Sequence, residues 1–207
     1  MLAIISILSR CFVVFCCLPI HEYAHCLAAH LLGDDTAKNQ GRLTLNPIAH
    51  LNPIGTVMIF LFGIGYGNPA PINPNNFKKP KQGMALTALA GPVSNFVLAL
   101  LALLCARLVY HQYGALWDFI FDLLLTTAYL SVGLGLFNLI PISPLDGSKV
   151  LFAFLPDSAY EKLMRYEKYG MIALLILVWL GVGDNVLSTA IYNVYAAMIN
   201  FVFRGIV

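Results

Sequence analysis

The sequence predicts an all-α protein that crosses a membrane several times. Of its 207 residues, 59% are hydrophobic and only 11% are charged, whereas an ordinary soluble domain carries about 25% charged residues. Several apolar stretches also reach the roughly 20 residues that a helix needs to cross about 30 Å of hydrocarbon. The chain is too short to hold a sizeable soluble domain as well. Its net charge of +2 gives no reason to expect a nucleic-acid partner.

We expect about five transmembrane helices. The first apolar stretch covers residues 2–32 and ends at Gly33, which two aspartates follow. The other predicted spans cover about residues 84–110, 117–140, 169–183 and 185–203.

Residues 53–74 are predicted to enter the membrane without crossing it. The part from 53 to 66 is apolar but shorter than a span and contains three glycines, which favours a re-entrant or short β-like segment. If it does not cross, the loops 33–52, 67–83 and 141–168 and the C-terminal tail share one side. That side then holds ten of the twelve lysines and arginines. Because basic loops tend to face the cytoplasm, we expect this side to be cytosolic.

The residues His21, Glu22 and His25 form the motif that indicates chemistry. Histidines four positions apart on a helix project from one face, so both imidazoles can reach a single metal ion. The glutamate after the first histidine can lie beside a metal-bound water and take its proton. No other formal charge lies between Arg10 and Asp34, and an unpartnered charge inside the membrane costs on the order of 3 kcal/mol or more. A divalent cation would compensate Glu22.

Asp146 is the best candidate for a third ligand, since a catalytic zinc site usually has three protein ligands and a water. It lies in the segment Asn138–Gly147, just beyond an apolar span and at the depth expected of the two histidines. Pro141 and Pro144 break the helix there, and Gly147 permits a tight turn, so the carboxylate can face inward. The other acidic residues outside the histidine motif lie in polar loops or at the far side of the membrane.

Three motifs, in this order along the chain, resemble those of the site-2 proteases, a family of intramembrane zinc metalloproteases. They are His-Glu-x-x-His at residues 21–25, Gly-Pro-x-x-Asn at Gly91–Asn95, and Asn-x-x-Pro-x-x-Pro-Leu-Asp-Gly at Asn138–Gly147. The segments 41–56 and 67–74 are similar to the compact prokaryotic branch of that family, which lacks PDZ and CBS domains. One departure is Asn52, where an aspartate would be expected.

The resemblance implies one zinc ion and a complete set of catalytic groups. The three zinc ligands and the general base would be His21, His25, Asp146 and Glu22. The metalloprotease core would occupy residues 1–156, and residues 157–207 would add two C-terminal transmembrane helices.

The resemblance also implies contacts with a substrate. Asn95 and Asn138 would lie close to the metal and donate hydrogen bonds to the substrate or to the developing oxyanion. Asn68 and Asn73 would bind the substrate near the entrance. The expected substrate is a single-span membrane protein, cut within or beside its transmembrane segment in the lipid bilayer. The expected location is a prokaryotic plasma membrane, with the active site open to the cytosol.

Two other functions would also place histidines and an aspartate inside a membrane. A metal transporter has no need of a glutamate beside the first histidine and usually shows repeated halves, which this sequence lacks. A non-catalytic relative would bind membrane segments without cutting them, but every catalytic group is present in this chain. The sequence therefore favours the protease.

Overall fold

The computed structural model describes residues 7–8, 10–62, 67–156, 158–159, 170, 174, 176–177 and 180–205. Within these residues the chain is helical and forms no strand. The helices are α1 (Arg10–Leu31), α2 (Thr36–Asn39), α3 (Pro47–His50), α4 (Pro53–Phe62), α5 (Pro80–Val109), α6 (Ala115–Asn138), α7 (Asp146–Phe152) and α8 (Asp184–Val202). By length and composition α1, α5 and α6 can cross a membrane, which confirms the all-helical membrane class.

Helix α1 carries the histidine motif to the inside of the bundle. It includes one π-helical turn, Val13–Cys17, and continues as a regular α-helix from Leu18. It stops at Gly33, whose φ of 105° is in the left-handed region that glycine tolerates best. The Asp34 N–H then donates to the carbonyl of Ala29 across 2.9 Å and satisfies one of the last helical carbonyls.

Helices α1, α5 and α6 pack as antiparallel neighbours, with α5 in contact with both others. Ser131 of α6 donates a hydrogen bond to the Asn95 carbonyl of α5 across 3.0 Å. Small side chains let the helices approach closely. The core shared by α5, α6 and α8 consists of Ala99, Ala102, Leu103, Ala106, Ala128, Val132, Val202 and Phe203.

The chain segment that contains α4 begins and ends at the same place. Leu51 and Gly67 form an isolated antiparallel β-bridge, and the Asn68 N–H donates to the His50 carbonyl across 2.7 Å. Between them α4 has ten residues, or about 15 Å of helix, which is half of a membrane span. Residues 63–66 lie outside the described part of the chain. Within the described part, the expected β-like character of this segment is limited to the one bridge.

Helix α8 runs antiparallel to α6. Near its start, Leu187 lines an apolar cavity of about 440 Å³ together with Leu136 at the end of α6. At its other end, Arg107 of α5 donates a hydrogen bond to the carbonyl of Val202. The last turn of α8 therefore lies beside the connection between α5 and α6.

The direction of α8 corrects one expectation from the sequence. Arg204 directly follows α8 and therefore lies at the end of the bundle where α5 meets α6, not with the basic loops. Nine rather than ten of the twelve basic residues are then expected on the cytosolic side, which leaves the expected orientation unchanged. Most of the predicted span 169–183 lies outside the described residues, so a pair of C-terminal membrane helices stays a prediction.

Candidate metal centre

Three ligand atoms from α1 and α7 converge on one point. Nε2 of His21 lies 3.0 Å from Nε2 of His25. Oδ2 of Asp146 lies 3.1 Å from the first of these nitrogens and 3.2 Å from the second. All three residues are buried, with exposed fractions of 3%, 5% and 8%. The structure thus brings the two imidazoles of α1 together with a carboxylate that lies 125 residues after His21 in the sequence.

This triangle fits a zinc ion. Zn–N and Zn–O bonds of about 2.0–2.1 Å place tetrahedral neighbours about 3.3 Å apart, close to the 3.0 to 3.2 Å between the three atoms. Two histidines and one carboxylate are also a donor set of catalytic zinc sites, in which a fourth position stays open to water. Among the described residues, these three form the one group of histidine, cysteine or acidic side chains whose ligand atoms lie close enough together to bind one metal ion.

The loop before α7 folds back on itself to direct Asp146 inward. The Leu145 N–H donates to the Ile142 carbonyl across 2.9 Å and closes a turn. A Cβ atom on Gly147 would lie 2.1 Å from the Leu139 carbonyl oxygen, so this close approach requires glycine. A carboxylate that binds a metal ion does so in its ionised form.

Helix α5 packs one face against both imidazoles. Thr87, Gly91 and Asn95 are four residues apart and so lie on the same side of the helix. Nδ1 of His25 lies 2.7 Å from the Thr87 carbonyl oxygen; because that oxygen only accepts, Nδ1 carries the proton and Nε2 faces the cluster with its lone pair. A Cβ atom on Gly91 would lie 2.4 Å from Nε2 of His25. Glycine at this position gives the imidazoles room to meet.

Asn95 contacts the other histidine. Its side-chain amide lies 2.9 Å from Nδ1 of His21, and the residue is fully buried. The atom of Asn95 at this distance is the amide nitrogen, which would donate to an unprotonated Nδ1. When Nε2 of His21 is a metal ligand, Nδ1 carries the ring proton, and the flipped amide presents its oxygen as the acceptor. This contact favours a role in orienting His21 over the substrate contact expected from the sequence.

Glu22 lies next to the cluster with one carboxylate oxygen already engaged. Its Oε2 accepts a hydrogen bond of 2.9 Å from the backbone N–H of Ala70, and 9% of the residue is exposed. The asparagines of this loop were predicted to contact a substrate, whereas Ala70 was not predicted to have a role. A signal was present, since Ala70 lies between Pro69 and Pro71 and alone among the three has a backbone N–H.

The remaining candidates contact groups outside the metal centre. The amide of Asn138 donates to a carbonyl one turn earlier in α6 across 2.9 Å. The amide of Asn68 donates to the Leu51 carbonyl across 2.8 Å, and the Asn73 N–H donates to Asp34 across 2.7 Å. The structure therefore places none of the three asparagines against a metal ligand, and their contacts with a substrate stay predictions.

Comparison with known proteins finds a matching family model and several relatives. A family model described as Peptidase family M50 matches residues 108–181, a range that includes Asp146. The chain is also 42% identical over 173 residues to "Putative zinc metalloprotease YwhC" of Bacillus subtilis, a match that covers 81% of this chain and 78% of that protein.

Mycobacterial proteins are similar over nearly the same range. Identity to "Putative zinc metalloprotease Rip2" of Mycobacterium tuberculosis is 30% over 165 residues, covering 77% of this chain and 62% of the relative. The protein of the same name from Mycolicibacterium smegmatis is 29% identical over 167 residues, covering 78% and 62%. The chain thus matches less than two thirds of the length of these two relatives. No solved structure matches the chain significantly.

Proposed function

Because the chain belongs to peptidase family M50, the site-2 protease family of zinc metalloproteases, we propose that it hydrolyses peptide bonds within or beside transmembrane segments of membrane-protein substrates. One observation carries this proposal. The imidazoles of His21 and His25 and the carboxylate of Asp146 meet inside a bundle of membrane-length helices, with Glu22 beside them.

The ligand set and the glutamate define the chemistry. A zinc ion held by the three ligands would supply Lewis acidity, lowering the pKa of a coordinated water towards about 7 and polarising the scissile carbonyl. Glu22 accepts the proton of the attacking water and later delivers it to the leaving amine.

The helix α5 orients the ligands in this proposal. The Thr87 carbonyl fixes the tautomer of His25, and Asn95 fixes that of His21, as outer partners of metal-binding histidines commonly do. Asn138 uses one amide hydrogen on its own helix and has a second one to offer to the developing oxyanion.

We propose a topology in which α1, α5, α6 and α8 cross the membrane and α4 enters and leaves on the cytosolic side. The bridge between Leu51 and Gly67 supports the re-entrant course of α4.

The substrate that we propose is a single-span membrane protein in a prokaryotic plasma membrane. Its transmembrane segment must unwind locally, because a helix hides its carbonyl groups in internal hydrogen bonds. The basic loops support a position of the metal centre in the cytosolic half of the bilayer, where water would reach it from the cytosol.

The replacement Glu22→Gln tests the proposed function. The protein is reconstituted into liposomes with a single-span substrate, and cleavage and zinc content are both measured. We expect cleavage to be lost while zinc stays bound, since Glu22 is not a ligand. The matched control is Asp118→Asn, an acidic residue at the far end of α6. Cleavage by Glu22→Gln at the wild-type rate would contradict the proposal, and uptake of zinc into the liposomes would support a transporter instead.

A further inference from the structure

The loop that connects α4 to α5 contacts Glu22 through a backbone group. The Ala70 N–H donates to Oε2 of Glu22 across 2.9 Å. Proline has no N–H and has a fixed φ, so Pro69 and Pro71 leave Ala70 as the one donor of this tripeptide and restrict the conformations in which it can point elsewhere. We call residues 67–76 the strap.

Arg42 holds the first part of the strap. Its Nη2 donates to the Asn68 carbonyl across 2.7 Å and lies 3.4 Å from that of Pro69. Gly67 lies close to the segment that precedes α4, since a Cβ atom there would be 2.9 Å from the His50 carbonyl oxygen. The charged Arg42 side chain therefore holds the carbonyls of Asn68 and Pro69, and the β-bridge holds Gly67.

Asp34 holds the last part of the strap. It is fully buried, and its Oδ2 accepts from the Asn73 N–H across 2.7 Å. Its Oδ1 accepts from the side-chain amide of Asn76, also across 2.7 Å. Because Asp34 follows α1 directly, the same element that carries Glu22 also carries the anchor of the strap. The distance between Ala70 and Glu22 is thus set by contacts at both ends.

We infer that Ala70 is a positioning residue for Glu22: the clamped strap holds Oε2 with the Ala70 N–H and so restricts the orientation of the carboxylate. This inference rests on the proposed function, in which Glu22 is the general base. A base held in one orientation before the substrate binds loses less freedom in the reaction, and a displacement of about 1 Å at such a group can cost on the order of 100-fold in rate.

The replacement Ala70→Pro tests the inference, because it removes the N–H and keeps an extended backbone. We expect kcat to fall by about 10- to 100-fold, with KM and the zinc affinity, measured by competition with a chelator, unchanged. A strap that only bound substrate would change KM instead. Ala70→Ser, which keeps the N–H, should restore kcat relative to Ala70→Pro.

A second variant covers the case in which Ala70→Pro does not fold. Alanine at position 70 is exchanged for lactic acid by nonsense suppression, which replaces only the N–H by an oxygen, and kcat should fall as before. Undiminished kcat in this ester variant, or a loss of zinc affinity, would overturn the inference. If the wild type cleaves the substrate and Glu22→Gln does not, the proposed function stands, and undiminished kcat in the ester variant then overturns only the inference about Ala70. A wild type that does not cleave any membrane substrate overturns both the inference and the proposed function.

Discussion

Arg10, at the start of α1, donates a hydrogen bond of 2.6 Å to the carbonyl oxygen of Phe60, near the end of α4. The same nitrogen lies 3.5 Å from the Ile59 carbonyl. Both oxygens lie in the last described turn of α4. Arg10 therefore ties this turn to the first span.

We expect Arg10→Leu to destabilise the protein by about 1–3 kcal/mol, because it removes the hydrogen bond from a charged side chain to the Phe60 carbonyl. Thermal unfolding in detergent measures the change. Arg204→Leu is the matched control, since Arg204 is exposed and should tolerate the replacement. Equal stability of the two variants would show that the Arg10 contact contributes nothing.

Gly91→Ala should abolish zinc binding. The added methyl group would lie 2.4 Å from Nε2 of His25 and 2.6 Å from Cε1 of His21, so the two imidazoles could no longer meet. Zinc content of the purified protein is the measurement. Gly133→Ala in α6 is the control, because its methyl group would meet nothing closer than 3.5 Å. Full zinc occupancy in Gly91→Ala would refute the described packing of α5 against the histidines.

Asn95→Ala should weaken zinc binding by about 10- to 100-fold, the usual effect of removing an outer partner of a metal-binding histidine. Competition with a chelator measures this affinity. Asn95→Asp keeps an acceptor for Nδ1 of His21 and should recover most of it. Asn138→Ala should lower cleavage but leave the affinity as it is, since Asn138 contacts its own helix. If both alanine variants bound zinc as the wild type does, Asn95 would have no role in holding His21.

Asp34→Asn should destabilise the strap and remove a pH dependence. Burial raises the pKa of the Asp34 carboxyl, but hydrogen bonds from Thr36, Asn73 and Asn76 outweigh it and hold that pKa below its ordinary value. Because the folded-state pKa is the lower one, the ionised group stabilises the fold at neutral pH. This contribution is lost as the pH falls from the unfolded value of about 3.9 through the folded one.

Unfolding measured between pH 7 and pH 3 in wild type and Asp34→Asn checks this, with the larger difference expected at pH 7. The exposed neighbour offers a control, since Asp35→Asn changes the same charge without the bonds to the strap. A variant whose stability follows the wild-type pH curve would show that Asp34 is not the responsible group.

Local patterns of the sequence predicted much of the fold and of the candidate site. Apolar length predicted α1, α5 and α6, which the structure contains. The spacing of His21 and His25 predicted that both face one side of α1. The two prolines and the glycine around Asp146 predicted a turn that directs a carboxylate inward. Each of these features depends on residues close together in the chain, where helix geometry and backbone restrictions act.

Contacts between distant segments were harder to predict. Thr87 binds through its backbone carbonyl, and such carbonyls are the same at every position, so no residue type reveals this contact. The Ala70 N–H was indicated only by the two flanking prolines, which have no N–H. The direction of α8 was also missed, because an apolar helix reads the same in either orientation and Arg204 alone suggested the wrong side.

By itself the sequence determined that this protein is a helical membrane protein with a paired-histidine motif and an aspartate able to complete it, because hydrophobic length and residue spacing are properties of the linear chain. Only the tertiary structure decided that Asn95 and Thr87 fix the two imidazoles, that Gly91 makes room for them, and that the strap reaches Glu22. These relationships arise when the helices and the strap pack together and bring residues 48 to 74 positions apart within hydrogen-bonding distance, and packing at that range is set by the whole bundle.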